Sequence, residues 1–323
     1  MTDLKSLQKL VDDSVKKSGF DAQPENLYQP ISYSLETGGK RLRPVLMLMA
    51  YELYRSDVSQ AVKPATGIEI FHNFTLLHDD IMDNAEMRRG KPTVHIKWNP
   101  DVAILSGDAM SIIATDLINC APRNQQAVTK AFTRAALDVC EGQQYDMDFE
   151  TKPVISEQEY LKMIKLKTAS LIAVSLKIGG LMAGAPEHDI ITLHKLGIAM
   201  GTAFQLQDDW LDCYGNQNNF GKTIGKDIIN QKKTYLWVLT NQLASEEQKS
   251  LMKSVNENQK ISDEVKINTI LDIYNQLDIS RIALNKINTL FQKATLAIDQ
   301  LNREQVKKSE LKNFLEKLNN RGV

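Results

Sequence analysis

The chain has 323 residues, and its 39 lysines and arginines against 40 aspartates and glutamates give a formal net charge of −1. This balance excludes a protein that coats nucleic acid, which would show a basic surplus, and it also excludes a long acidic solvating tail. Hydrophobic residues make up 42% and charged residues 24% of the chain, and the low counts of 16 glycines and 9 prolines favour long helices over many short strands.

The beginning of the chain predicts a helix and no export signal. Leu4, Leu7 and Val11 form an apolar stripe at helical spacing, and acidic residues stand where a signal peptide needs an apolar run. The three cysteines are widely spaced and form no CxxC pair, so neither a zinc site nor a disulfide framework is expected. No stretch reaches the roughly 18–20 apolar residues of a membrane span. These features predict a reduced, soluble, cytoplasmic protein.

Helical spacing continues through the rest of the chain. Ser156 followed by Glu159 predicts a capping box before a long helix through Tyr160, and Gly184 and Pro186 are expected to end that helix. Alternating strand patterns are nearly absent from the sequence. The whole chain, residues 1–323, is therefore predicted to form a single all-α domain of about ten or more helices.

Two acidic motifs of the form DDxxD are the main chemical signal. The first lies in LLHDDIMD (76–83) and the second in QLQDDWLD (205–212). Within each motif the first and last aspartates are four residues apart, so a helix places them on one face, where hard oxygen ligands suit Mg²⁺. A single such motif indicates a solvated helix face. Two copies beside apolar residues favour metal binding, because clustered like charges repel and need a cation.

Each acidic motif has basic residues near it in the sequence. GGKRLRP (38–44) and RRGKP (88–92) flank the first motif, and GKTIGKDIINQKK (221–233) follows the second. Arginine binds phosphate oxygens with two donors and lysine supplies a point charge, so the combination with Mg²⁺ suits a diphosphate substrate. The sequence contains no P-loop, GxGxxG, GxSxG or HExxH motif.

Six segments occur in the order and spacing of the trans-prenyltransferases: GGKRLRP, LLHDDIMD, RRGKPTVH, LKTASL, FQLQDDWLD and GKTIGKDIINQKKTY. Over essentially its whole length the chain resembles a short-chain polyprenyl (isoprenyl) diphosphate synthase of the farnesyl or geranylgeranyl type. The resemblance implies a bundle of mostly antiparallel helices around a central cavity, and a homodimer. It also implies that isopentenyl diphosphate condenses with dimethylallyl, geranyl or farnesyl diphosphate to give an all-trans C15–C20 prenyl diphosphate and diphosphate.

The resemblance assigns the aspartates to about three Mg²⁺ ions per active site, which would stabilise the departing diphosphate. The implied direct ligands are Asp79, Asp83 and Asp208. Asp209 and Asp212, together with Asp80, are expected to act on the metals more through water.

The resemblance also assigns residues to the two substrates. Isopentenyl diphosphate would be bound by Lys40, Arg43, His72 and Arg89. The allylic diphosphate would be held by Arg88, Lys167, Lys222 and Lys232. Catalysis would depend on Lys167, Thr168 and Gln205, with the oxygens of the last two facing the cation. Phe204 matches an aromatic position beside isopentenyl diphosphate, and Lys226 has no assigned role.

Phe74 is the predicted determinant of product length. It stands five residues before Asp79, a position that points into the product tunnel in this family. A bulky ring there is expected to stop chain growth early, at C15 or C20.

Three other interpretations remain open at this point. A terpene cyclase also uses acidic metal motifs on an all-α fold, but it binds one diphosphate and would not need the second basic site. A non-catalytic partner subunit would typically lose its aspartates, whereas both triads are intact. A purely structural helical protein leaves the paired basic clusters unexplained.

Overall fold

The computed structural model describes residues 2–215, 225–258 and 260–321, and most of them are helical. The helices up to residue 215 are α1 (Leu4–Lys17), α2 (Glu25–Glu36), α3 (Leu42–Glu52), α4 (Val62–Met82), α5 (Val94–Lys97), α6 (Pro100–Ile118), α7 (Gln125–Thr151), α8 (Glu157–Ile164), α9 (Ser170–Ala183) and α10 (Glu187–Tyr214). The later helices are α11 (Lys226–Ile229), α12 (Tyr235–Leu243), α13 (Glu246–Glu257), α14 (Asp263–Gln276), α15 (Ile279–Gln300) and α16 (Gln305–Asn319). The all-α prediction is confirmed.

The chain forms two compact units, each assembled from three separate stretches. Unit 1 comprises Met1–Arg134, Val174–Leu193 and Asn302–Glu310. Unit 2 comprises Ala135–Ala173, His194–Leu301 and Leu311–Val323. The first acidic motif belongs to unit 1 and the second to unit 2, and the single-domain organisation over 1–323 stays a prediction.

Unit 1 is built on capped, amphipathic helices. Asp3 caps α1 by accepting a hydrogen bond from the backbone nitrogen of Ser6, 3.1 Å away. Leu7, Val11 and Val15 then follow at four-residue spacing, and all three are buried. The acidic motif comes at the end of α4, a helix that packs against α6.

Unit 2 contains an interruption in helical hydrogen bonding that positions site residues. The predicted capping box is present: Ser156 and Glu159 each bond the other's backbone nitrogen at the start of α8. The helix does not continue regularly, because Lys165–Ala169 form a π-helical turn before α9 begins. Such turns absorb an extra residue and occur frequently at functional sites.

Gly184 follows the end of α9 with a φ of +74°, a conformation that favours glycine.

A short hairpin supplies the only strands among residues 2–215, 225–258 and 260–321. Strand β1 (Met87–Arg88) pairs antiparallel with β2 (Lys91–Pro92), and the register opposes Arg88 to Lys91. Arg89 and Gly90 form the connecting turn with φ values of 52° and 76°. Two consecutive positive φ values define the type I′ turn that suits two-residue hairpins. The turn projects the predicted arginine pair from just beyond α4.

One helical stretch is longer and more apolar than the sequence patterns predicted. Among the described residues, Glu157–Ala183 is long and apolar enough to cross a membrane by length and composition. In its most apolar window 72% of the residues are buried inside the protein, which is typical of a core helix. Burial thus explains its composition without a membrane.

Close helix packing in unit 2 predicts an intolerance of side chains at Gly197. A Cβ atom at Gly197 would overlap the backbone of Ala173, which cannot move as a side chain can. We expect Gly197→Ala to lower the free energy of unfolding by about 1–3 kcal/mol, measured by denaturant titration, because overpacking outweighs the gain in helix propensity. The matched control is Gly180→Ala, whose added Cβ would meet chiefly a terminal methyl carbon of Leu193. Equal stability of the two variants would contradict the packing argument.

Candidate active site

The first acidic motif combines one buried aspartate with two that lie nearer to solvent. Asp80 is buried and accepts a hydrogen bond from Nε of Arg88 at 2.7 Å. The other end of the Arg88 guanidinium lies 3.4 Å from Asp79. Burial raises the pKa of Asp80, and the positive charge of Arg88 opposes this shift. Asp79 is half-buried and Asp83 is exposed, so both are more accessible than Asp80.

The predicted isopentenyl diphosphate residues come together within unit 1. Arg89 donates a hydrogen bond to the carbonyl oxygen of Gly38, so the hairpin turn contacts the GGKRLRP loop. A Cβ atom at Gly39 would lie 3.1 Å from the Arg89 guanidinium, so this approach favours a residue without a side chain. Lys40 is exposed next to this contact. The two basic segments therefore form one cationic surface.

Arg43 and His72 form a pair beside this surface. Nη1 of Arg43 lies 3.0 Å from Nε2 of His72. Because arginine only donates, the imidazole is neutral, with Nε2 as the acceptor and the proton on Nδ1. Burial, followed by the charge of Arg43, holds the pKa of His72 well below its usual value. A neutral imidazole can orient the guanidinium without competing for an anion.

Arg41, by contrast, is a structural residue within the same basic run. It is buried and forms ion pairs with Asp12 at 2.8 Å and with Glu69 at 2.7 Å. A third hydrogen bond of 3.1 Å reaches the carbonyl oxygen of Leu35. The sequence pattern does not distinguish Arg41 from its neighbours, but these contacts commit its guanidinium to the interior.

The second acidic motif has a different set of partners in unit 2. Arg321 forms an ion pair of 2.6 Å with Asp208, and its guanidinium lies 3.7 Å from the ring centre of Phe204. Asp212 accepts a hydrogen bond of 2.9 Å from the backbone nitrogen of Asp227. Arg321 stands in no recognisable motif, so sequence reasoning gave no signal for its place beside Asp208.

Asp209 is buried and its oxygens accept hydrogen bonds from protein donors. The Tyr160 hydroxyl and the Tyr235 backbone nitrogen, at 3.0 Å, donate to Oδ2, and Nε2 of Gln205 donates to Oδ1 at 3.1 Å. Burial raises the pKa of Asp209 to about 7, although these donors oppose the shift. A role of Asp209 in metal binding stays a prediction, and these contacts do not favour it.

Two of the predicted catalytic residues, Thr168 and Gln205, meet next to this carboxylate. Thr168 donates a hydrogen bond of 3.0 Å to Oε1 of Gln205, and Nζ of Lys167 lies 2.6 Å from Asp146. Lys167 and Thr168 both belong to the π turn. A Cβ atom at Gly142 would overlap the backbone of Lys167, so α7 and the π turn are in close contact. The partner of Lys167, Asp146, was missed because it lies in an acidic run without a motif.

The lysines that follow the second acidic motif differ in exposure and in contacts. Lys222 lies outside the described residues. Lys232 is exposed, and Lys226 begins α11 with its side chain exposed. Lys233 has a structural role, because it donates hydrogen bonds to the carbonyl oxygens of Phe149 at 2.6 Å and Glu150 at 3.1 Å near the end of α7.

The donor set fits Mg²⁺ by its chemistry. The accessible groups are carboxylates, which are hard oxygen ligands, and guanidinium groups now neutralise Asp80 and Asp208. Within the described parts of the chain, no three His, Cys, Asp or Glu side chains already converge as a metal-binding group. Carboxylate oxygens of this kind suit Mg²⁺, which is commonly bound by one or two carboxylates together with substrate phosphates.

Comparison with known proteins agrees with this chemistry. The family model described as polyprenyl synthetase matches residues 24–274. A short chain isoprenyl diphosphate synthase of Methanocaldococcus jannaschii is 37% identical over 80% of this chain and 79% of its own length.

Two solved structures resemble the whole chain. A geranylgeranyl pyrophosphate synthase has a TM-score of 0.93 and 40% identity, and the match covers 100% of both chains. A geranylgeranyl pyrophosphate synthetase from Pyrococcus horikoshii has a TM-score of 0.92 and 31% identity over 98% of this chain and 97% of that one. These similarities do not support the terpene cyclase alternative. The chain belongs to the polyprenyl synthetase family and is a prenyltransferase that forms short-chain prenyl diphosphates.

Proposed function

We propose that this enzyme condenses isopentenyl diphosphate with an allylic diphosphate and that its main product is the C20 compound geranylgeranyl diphosphate. The observation that carries this proposal is the cationic surface of Lys40 and Arg89, with Arg43 beside it, which lies in the same unit as the acidic motif at Asp79. A second diphosphate needs such a surface in addition to a metal site. Both similar solved structures are named as geranylgeranyl enzymes, which supports the C20 product.

The proposed metal ligands are Asp79, Asp83 and Asp208, with Asp212 acting through water. When bound, Mg²⁺ supplies positive charge where the departing diphosphate develops negative charge. Arg88 holds Asp80 and the end of α4 in place and can turn the rest of its guanidinium to phosphate. Lys167, Lys222 and Lys232 are the proposed further contacts of the allylic diphosphate.

The allylic carbon becomes cationic as its diphosphate leaves, and the double bond of isopentenyl diphosphate then attacks it. The hydroxyl oxygen of Thr168 and the amide oxygen of Gln205 are the proposed partners of that positive charge, in agreement with their contact of 3.0 Å. No protein nucleophile is required, and the released diphosphate accepts the proton that is lost.

We further propose that the enzyme is a cytoplasmic homodimer. The outer face of α6 supports the dimer, because it exposes Ile104 (43%), Leu105 (62%) and Ile112 (70%). Apolar side chains that recur on one helix face in this way indicate a contact surface, and symmetric dimers are the commonest soluble oligomers.

Variants of the two motifs test the function and the metal assignment together. We expect the unaltered protein with Mg²⁺, isopentenyl diphosphate and an allylic primer to release diphosphate and form C20 product. Asp79→Ala and Asp208→Ala should each lower kcat by about 100-fold or more, since each removes a proposed ligand of the Mg²⁺ whose positive charge would stabilise the leaving group. Asp272→Ala, which removes an exposed aspartate outside both motifs, is the matched control.

Three results would contradict this proposal. No turnover with any primer would refute the synthase function, and turnover without isopentenyl diphosphate would favour a cyclase. Retained Mg²⁺-dependent activity in both aspartate variants would refute the metal assignment.

Product length is predicted to depend on Phe74. Its half-buried ring lies 5.3 Å from the ring of Phe71 and 4.8 Å from that of His78, so it is held in a defined place. We expect Phe74→Ala to give products longer than those of the unaltered enzyme, measured by chromatography of the dephosphorylated alcohols. The matched control is Leu76→Ala, which removes a side chain from the opposite side of α4. Unchanged product length in Phe74→Ala would show that Phe74 does not limit growth.

A further inference from the structure

Asp209 is the end of a chain of hydrogen bonds that reaches the proposed catalytic oxygens. Nε2 of Gln205 donates to Oδ1 of Asp209 at 3.1 Å, and the Thr168 hydroxyl donates to Oε1 of Gln205 at 3.0 Å. The three side chains come from α10 and from the π turn. All belong to unit 2, so the chain lies within one compact body.

The direction of these hydrogen bonds follows from the chemistry of the groups. The oxygens of Asp209 accept from Tyr160, from the Tyr235 backbone nitrogen and from Gln205, so the amide of Gln205 presents its NH₂ group to Asp209 and its oxygen to Thr168. An amide without such a neighbour could flip by 180° at little cost. Because the Thr168 hydroxyl has one hydrogen and donates it to Gln205, its oxygen presents only lone pairs to its remaining surroundings.

Asp209 is itself held by residues of two other helices. Tyr160 in α8 and the backbone nitrogen of Tyr235 at the start of α12 both donate to its Oδ2. The two tyrosine rings stack with centres 6.1 Å apart, and the Tyr235 hydroxyl donates to Glu157 at 2.8 Å. Glu157 also forms an ion pair of 2.9 Å with Lys286. The carboxylate is thus fixed by helices on several sides.

We propose that Asp209 is a positioning residue that acts through Gln205 and turns the Thr168 oxygen outward as a hydrogen-bond acceptor only. This inference rests on the proposed function, in which that oxygen faces the positive carbon of the allylic group. It gives Asp209 a role different from the metal binding of Asp208. Tyr160 supports the same arrangement by holding the carboxylate in place.

The first test is Asp209→Asn, which keeps size and shape but can present an NH₂ group to Gln205. The Gln205 amide can then flip, and Thr168 would turn its hydrogen towards the site. We expect kcat to fall by roughly 10- to 100-fold, as for the loss of one fixed dipole at a charged transition state. The KM values should change less than about 3-fold. The Mg²⁺ affinity, which is measured by calorimetry in the absence of turnover, should also change less than about 3-fold.

The second test restores the direction of the hydrogen bonds with the double variant Asp209→Asn/Gln205→Glu. Here the asparagine NH₂ donates to the new carboxylate, which again accepts from Thr168. We expect the double variant to have a kcat at least about 5-fold above that of Asp209→Asn. Gln205→Glu alone is the matched control, and it should be less active than the double variant because two adjacent carboxylates repel.

Two results would overturn the inference that Asp209 acts as a positioning residue. Loss of Mg²⁺ affinity in step with kcat in Asp209→Asn would overturn the inference and make Asp209 a metal ligand. A double variant no faster than Asp209→Asn would also overturn it, and this comparison still decides the matter if the single variant unfolds. Failure of the proposed function would appear differently, as absence of turnover in the unaltered protein.

Discussion

Carboxylates gathered on about one turn of a helix repel one another, and this constraint determines what surrounds both acidic motifs. In unit 1 the repulsion is reduced by Arg88, which lies in the hairpin and donates a hydrogen bond to Asp80. In unit 2 Arg321 forms an ion pair with Asp208, and a backbone nitrogen and a tyrosine hydroxyl donate hydrogen bonds to Asp209. The net charge of −1 conceals these local concentrations of charge, which are the proposed binding sites of a diphosphate and its cations.

In both motifs the middle aspartate is buried and the outer two are more accessible, and this difference follows from helix geometry. In each, the middle aspartate lies about 100° around the helix from the first one. Asp80 and Asp209 occupy these middle positions, and they are buried, with 5% and 4% exposure. The outer aspartates remain more accessible. A motif of three acids therefore consists of two groups that can face a ligand and one that anchors the helix in its own unit.

Much of this architecture could be predicted from local sequence rules. The capping box at Ser156 and the shared helix face of Asp79 and Asp83 depend on spacing alone, and spacing is visible in the sequence. Arg41 and Arg43 look equivalent because their difference lies in distant partners, Glu69 for one and His72 for the other. Arg321 is 113 residues from Asp208 in the sequence but donates a hydrogen bond to it. No local sequence pattern could connect two residues so far apart.

The π turn has a consequence for the helical phase of the residues around it. Each residue of an α-helix advances about 100°, so eight regular steps would place Thr168 roughly 80° away from Tyr160 around the axis. Residues 165–169 form a wide π turn in which each residue advances by less than 100°, so Thr168, which lies inside this turn, is closer to the azimuth of Tyr160 than a regular helix would place it. This smaller angular separation agrees with the observed contacts, in which one carboxylate, Asp209, binds Tyr160 directly and Thr168 through Gln205. The change of phase thus brings the Tyr160 hydroxyl and the proposed catalytic hydroxyl of Thr168 nearer to the same side of the helical stretch.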